Sequence, residues 1–150
     1  MTRWEKADML RKKDYNCAQF LLAAFEDLTG LPRETSLAIA GGLGGGIGGC
    51  QAEVCGALSG AVLVLGMLMP HIHDNDLVEK RRAYDVAAEF RRRFMARFTC
   101  ARCGELLAME PRPEDREMAA ALGSRRICAV FIAEAARLLE EYLRELGLCA

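Results

Sequence analysis

The chain has 150 residues, 52% of them hydrophobic and 27% charged, with 20 basic residues against 21 acidic ones and a formal net charge of -1. A chain of this length buries roughly 68–70% of its unfolded surface around one core, which argues against disorder and for a single domain over residues 1–150. The balanced charge leaves no bulk field for nucleic acid or an anionic membrane and excludes a generic polyanion binder.

The opening Met1-Thr2-Arg3-Trp4-Glu5-Lys6 lacks the basic, apolar, small-residue order of a secretory signal, so a cytoplasmic location is expected. A short polar helix surrounds Asp8, Met9 and Leu10. Asn16 is the expected N-cap of a second helix carrying Cys17, Phe20, Leu21, Ala24, Phe25 and Leu28 at three-and-four spacing, closed by Gly30 and Pro32. Glu34–Ala40 reads as a third helix that runs into glycine. Glu53–Met69 is an apolar helix closed by Pro70. It is shorter than the ~20 residues that span a bilayer, so it predicts a buried, glycine-bearing helix at the centre of a bundle. Within it, Gly56 and Gly60 form a GxxxG pair suited to close approach by another helix or another subunit.

Asp74–Phe98 is a long amphipathic helix with Val78, Tyr84, Val86, Phe90, Phe94 and Phe98 on one side. Its arginines, Arg91, Arg92, Arg93 and Arg97, read as a solvated face rather than a nucleic-acid site. Met109–Gly123 reads as loop around Pro111 and Pro113, and Arg126–Leu146 as the last strong helix. No period-two alternation occurs. The expected fold is all-α, a bundle of five or six helices.

Gly41 to Gly49 holds seven glycines in nine residues. Gly44, Gly46 and Gly49 match GxGxxG formally, but a helix precedes them where a dinucleotide fingerprint requires a strand, and no P-loop lysine follows. Such a run instead lets backbone approach a neighbouring group and aim amides at it. Because it leads into Cys50 and Cys55, Gly46, Gly49 and Gly56 are the candidate cofactor-facing glycines. His71-Ile72-His73-Asp74-Asn75-Asp76 has residue types suited to a metal, and also reads as a polar loop after a helix.

Seven cysteines is an odd number, so at least one thiol stays unpaired within the chain. In a reducing compartment clustered cysteines point to redox chemistry or metal ligation. Cys55 stands near a helix start, where dipole and free amides are expected to favour its thiolate. Cys100-Ala101-Arg102-Cys103 is the one CxxC, without the second that a zinc ribbon needs.

Tyr15-Asn16-Cys17-Ala18-Gln19, the glycine run ending in Glu53-Val54-Cys55-Gly56-Ala57-Leu58-Ser59-Gly60-Ala61, the segment Cys103-Gly104-Glu105-Leu106-Leu107 and Cys128 together resemble the putative redox-active C_GCAxxG_C_C family. The resemblance implies four characteristic cysteines, Cys17, Cys55, Cys103 and Cys128, as catalytic or metal-ligating residues, and leaves Cys50, Cys100 and Cys149 as extras. Four thiols at one end of a bundle fit either an all-thiolate iron–sulfur cluster or two exchanging dithiol pairs, served by a redox partner protein or a small thiol. The competing expectation is a non-catalytic helical homodimer module whose cysteines pack or hold a structural zinc, with Gly56 and Gly60 at the dimer contact.

Overall fold

The computed structural model describes residues 1–150 and is all-helical. Its helices are α1 (Arg3–Arg11), α2 (Cys17–Ala24), α3 (Glu26–Thr29), α4 (Arg33–Ala40), α5 (Gly56–Leu68), α6 (Leu77–Phe98), α7 (Cys103–Ala108), α8 (Pro113–Ala121) and α9 (Cys128–Glu145). The nine segments exceed the expected five or six for identifiable reasons. The second expected helix breaks at Phe25, whose φ of -108° leaves the helical region, and resumes as α3 before Gly30 ends it at φ +73°. The segment read as loop around Pro113 contains α8, because proline at the first helical position sacrifices only an amide that would be unpaired anyway. The short α7 follows an isolated antiparallel bridge between Val54 and Arg102.

Local chemistry sets the helix starts. Thr2 and Glu5 form a capping box for α1, and Asn16 and Gln19 form one for α2. Asp76 caps α6 by accepting the Glu79 amide at 2.8 Å. The bundle assembles around α2, which packs against α1, α4, α5 and α9. Phe20, Leu21, Leu22, Ala23 and Ala24 are all buried, so α2 is the helix enclosed on every side. The glycine-bearing α5 lies beside it with one face inward, while Val62 and Leu63 are half-buried and Met67 is exposed. No helix is long and apolar enough to cross a membrane.

The GxxxG pair of α5 is used inside the chain. A Cβ on Gly60 would lie 2.7 Å from the Ala18 carbonyl oxygen and 2.8 Å from the Leu21 Cβ. That closeness lets α2 and α5 meet backbone to backbone, so the face assigned in the homodimer alternative is already occupied by α2. Three arginines of α6 also turn to their own chain, while Arg91 stays exposed as expected. Arg92 and Arg93 bind Glu89, Arg93 also binds Glu145 at 2.5 Å, and Arg97 joins Asp115 of α8 to Glu134 of α9.

Candidate functional site

The glycine run follows a path that ordinary residues avoid. Gly45, Gly46, Ile47, Gly48 and Gly49 all have positive φ, between 59° and 76°. A left-handed turn costs an L-residue about 1–2 kcal/mol per position, which accounts for the glycine density. The run is tied to α2 through Asn16, whose Oδ1 accepts the Ala18 and Gln19 amides while its Nδ2 donates to the Gly41 carbonyl at 2.9 Å. Gly44 lies so close to Asn16 that a Cβ there would stand 2.1 Å from the Asn16 Cγ.

A second device aligns two cysteines. The Val54–Arg102 bridge is flanked by the Cys55 amide donating to the Ala101 carbonyl at 2.8 Å and the Cys103 amide donating to the Glu53 carbonyl at 2.9 Å. Cys55 then becomes the N-cap of α5, and Cys103 the first residue of α7. Cys17 opens α2 behind Asn16, and Cys128 opens α9. Four helix starts therefore each present a cysteine.

All four line one cavity of about 160 Å³, with Gly45, Gln51, Leu106, Leu107, Arg126, Phe131 and Ile132 completing its wall. Glycine permits this convergence at two points. A Cβ on Gly56 would lie 2.2 Å from the Cys17 Sγ, and one on Gly46 would lie 2.5 Å from the Cys103 Cβ. A wider opening of about 440 Å³ adjoins the chamber and shares Cys17, Gly45, Arg126, Cys128 and Ile132 with it; Arg11, Asp14 and Tyr15 also line it.

Burial dominates the electrostatics. Cys55 is 5% exposed. Desolvation, reinforced by the neighbouring Cys17 and Cys103, pushes its thiol up to about 12, although the Ala57 and Leu58 amides pull the other way. This corrects the expectation that the helix start makes Cys55 the favoured thiolate: the end of one helix is outweighed by removal from water. Burial also raises Cys103, with Cys17 and Cys50 adding to it. Cys128 is raised by burial and by Cys17 and Cys103, against an opposing pull from Arg126.

The remaining candidates separate from the chamber. Gly49 is exposed, and a Cβ there would meet nothing within 4 Å, so it faces neither a thiol nor the cavity. The two ends of the CxxC diverge: Cys103 faces the chamber while the Cys100 Sγ lies 3.4 Å from the Met109 Sδ. Cys149 lies against the Glu140 carbonyl. His73, Asp76 and Glu79 are the one trio of His, Cys, Asp or Glu ligand atoms lying within 4.8 Å of one another. They already satisfy each other at the start of α6, with Glu79 accepting from the His73 ring and from the His73 and Ile72 amides. No three chamber sulfurs approach that closely, whereas zinc–sulfur bonds of about 2.3 Å would draw tetrahedral ligands to about 3.8 Å. The four sulfurs are therefore not gathered at single-zinc spacing.

Sequence reasoning missed Gly45, Leu106, Phe131 and Ile132 as chamber wall. It also missed Arg126, whose one visible signal is a basic residue two places before Cys128. The family model described as "Putative redox-active protein (C_GCAxxG_C_C)" matches residues 15–142. No curated protein and no solved structure matches the chain.

Proposed function

Because this chain belongs to the C_GCAxxG_C_C family of putative redox-active proteins, we propose that Cys17, Cys55, Cys103 and Cys128 form one redox centre, an all-thiolate cage for an iron–sulfur cluster. The observation that carries the reading is their convergence on a single cavity, each from the start of a different helix. The donor set fits such a group: four soft sulfur ligands line one cavity without the close mutual spacing of a single tetrahedral ion. A bound cluster supplies one-electron transfer, which thiols alone do not.

The chain's own residues then have definite tasks. Gly46 and Gly56 admit the bulk of Cys103 and Cys17, and the Val54–Arg102 pairing holds Cys55 and Cys103 on adjacent strands of backbone. Leu106, Phe131 and Ile132 keep the chamber wall apolar. The starts of α2, α5 and α9 bring positive dipole ends toward accumulated negative charge, and α5 and α9 have no side-chain cap to compete for their amides. The Cys55 thiol, which burial makes a poor nucleophile, is still a competent ligand, because a coordinating metal displaces a thiol proton outright. The wider opening brings a redox partner protein or a small thiol to the Cys17 and Cys128 side, and its volume lies in the range of small-molecule sites. That opening, together with seven free thiols, favours thiol–disulfide exchange among the same four cysteines as the second reading. Either chemistry suits a reducing, cytoplasmic setting.

The test is anaerobic purification and reconstitution with iron and sulfide, followed by visible spectroscopy and iron and sulfide assays. Each Cys→Ser change among the four should abolish or sharply reduce the chromophore, while Cys149→Ser should retain it. A colourless, metal-free protein whose four thiols pair reversibly in a redox titration transfers the assignment to the second reading. Neither colour nor pairing removes both.

A further inference from the structure

We propose that Cys50 is a fifth working thiol, which closes a disulfide with Cys103 and thereby withdraws Cys103 from the four-cysteine chamber. The inference rests on the preceding reading only in treating Cys103 as part of the centre.

Cys50 is exposed and does not line the chamber, whereas Cys103 does. Both reach Gly46: the Cys50 Sγ donates to the Gly46 carbonyl at 3.4 Å, and a Cβ on Gly46 would lie 2.5 Å from the Cys103 Cβ. Their segments are also locked side by side. The Cys103 amide donates to the Glu53 carbonyl at 2.9 Å, and the Gly104 amide donates to the Gln51 carbonyl at 2.8 Å. The left-handed turns at Gly49 and Gln51, on either side of Cys50, keep that residue at the edge of the pairing. Glycine at position 46 matters here because it puts no side chain beside either cysteine.

The oxidant is a low-molecular-weight disulfide of the glutathione class. The Cys50 thiolate attacks one of its sulfurs, the sulfur–sulfur bond breaks, and one small thiolate leaves. The Cys103 thiolate then attacks the Cys50 Sγ and expels the second small thiolate. Two cysteine thiols have lost two electrons and two protons to form one disulfide, and the small disulfide has gained both as two thiols. Cys17, Cys55 and Cys128 remain, one thiol short of the proposed shell.

The experiment treats reduced, metal-free full-length protein with glutathione disulfide, alkylates the residual thiols, and digests with trypsin and a glutamate-specific protease. Cleavage after Glu53 separates Cys50 from Cys55, and cleavage after Arg102 separates Cys100 from Cys103. Mass spectrometry should find the Cys50–Cys103 peptide pair in wild type and lose it in Cys50→Ser. In parallel, the treated wild type should lose most of its iron uptake on reconstitution without reductant, and treated Cys50→Ser should retain it. Exclusive pairing of Cys103 with Cys17, Cys55 or Cys128 overturns the proposal, as does a Cys50 found only alkylated or as a glutathione adduct. Equal loss of iron uptake in both proteins also overturns it. Failure of untreated wild type to bind iron would instead bear on the cluster reading, leaving the peptide mapping to decide the disulfide.

Discussion

Gly56 and Cys17 stand in backbone-to-sulfur contact: a Cβ on Gly56 would lie 2.2 Å from the Cys17 Sγ and 3.0 Å from the Ala18 amide nitrogen. Neither neighbour is the loose end of a long side chain, since one is a short thiol at a helix start and the other is backbone. Gly56→Ala should therefore destabilise the fold by about 1–3 kcal/mol, as overpacking of a tight core does. It should also displace Cys17 from the chamber. Urea midpoints and the alkylation rate of Cys17 read the two effects. Gly66→Ala is the control, because its Cβ meets nothing within 4 Å, and it should be neutral or stabilising by up to about 1 kcal/mol.

Cys55 should be the last of the seven thiols to react with iodoacetamide in the native, metal-free protein. With its thiol pushed up to about 12, only about one molecule in ten thousand carries the thiolate at about pH 8. Time-resolved alkylation with peptide mapping checks the order, which exposed Cys50 should lead. A rapid reaction at Cys55 would contradict the burial described for it.

The same shift predicts alkaline instability. The folded state holds the Cys55 proton more tightly than the unfolded chain, whose thiol titrates near the ordinary value of 9.0. The stabilisation is complete below pH 9.0 and is lost as pH rises toward about 12. The slope should approach about 1.4 kcal/mol per pH unit within that window. Chemical denaturation of wild type and Cys55→Ala between those limits should show the mutant with the shallower dependence.

Ile47 is exposed and holds φ at +59°, in the middle of the left-handed run. A β-branched residue pays steric strain there, so Ile47→Gly should raise stability by about 1 kcal/mol after the added flexibility of the unfolded chain is counted. Thermal unfolding is the measurement, and a lower midpoint would show that the Ile47 side chain does more than its exposure suggests.

Arg97 joins α6 to α8 and α9 through Asp115 at 2.6 Å and Glu134 at 3.1 Å, and the two carboxylates are 10% and 7% exposed. Burial works to raise both carboxyls, but hydrogen bonds and ion pairs outweigh it, with Arg97 and Arg112 holding Asp115 and with Arg137 and Arg97 holding Glu134 below their ordinary values. This stabilisation is present above the unfolded carboxyl range and is lost as pH falls through the lower folded values. Arg97→Leu should cost about 3 kcal/mol near neutrality by leaving Asp115 without its main partner. The penalty should shrink in acid, a trend that denaturation midpoints at several pH values will follow.

Signals confined to a few neighbouring residues were legible in the sequence. Asn16 announces α2 because its side chain needs only the next three residues to cap a helix, and the phenylalanines of α6 mark their buried face by spacing alone. Pro113 misled because one residue type both starts and breaks helices, and only its position within the turn decides which. The glycine run was recognisable as permissive backbone, but its left-handed sense depends on what it must pass: Asn16 at Gly44 and Cys103 at Gly46. The four site cysteines came from the family pattern, since nothing local distinguishes Cys103 from Cys100. The high thiol pKa of Cys55 was illegible because burial by helices distant in sequence reverses what its own helix start would do.

The Val54–Arg102 bridge joins positions 48 residues apart, and the chamber it organises is completed by Cys128. A growing polypeptide carrying only Cys17 and Cys55 has half the sulfurs and neither the partner strand nor the closing helix. Long-range pairing of this kind forms late, after the entropy of closing large loops has been overcome. Assembly of the centre must therefore follow synthesis of nearly the whole chain, and during that interval its future members are ordinary, separately reactive thiols.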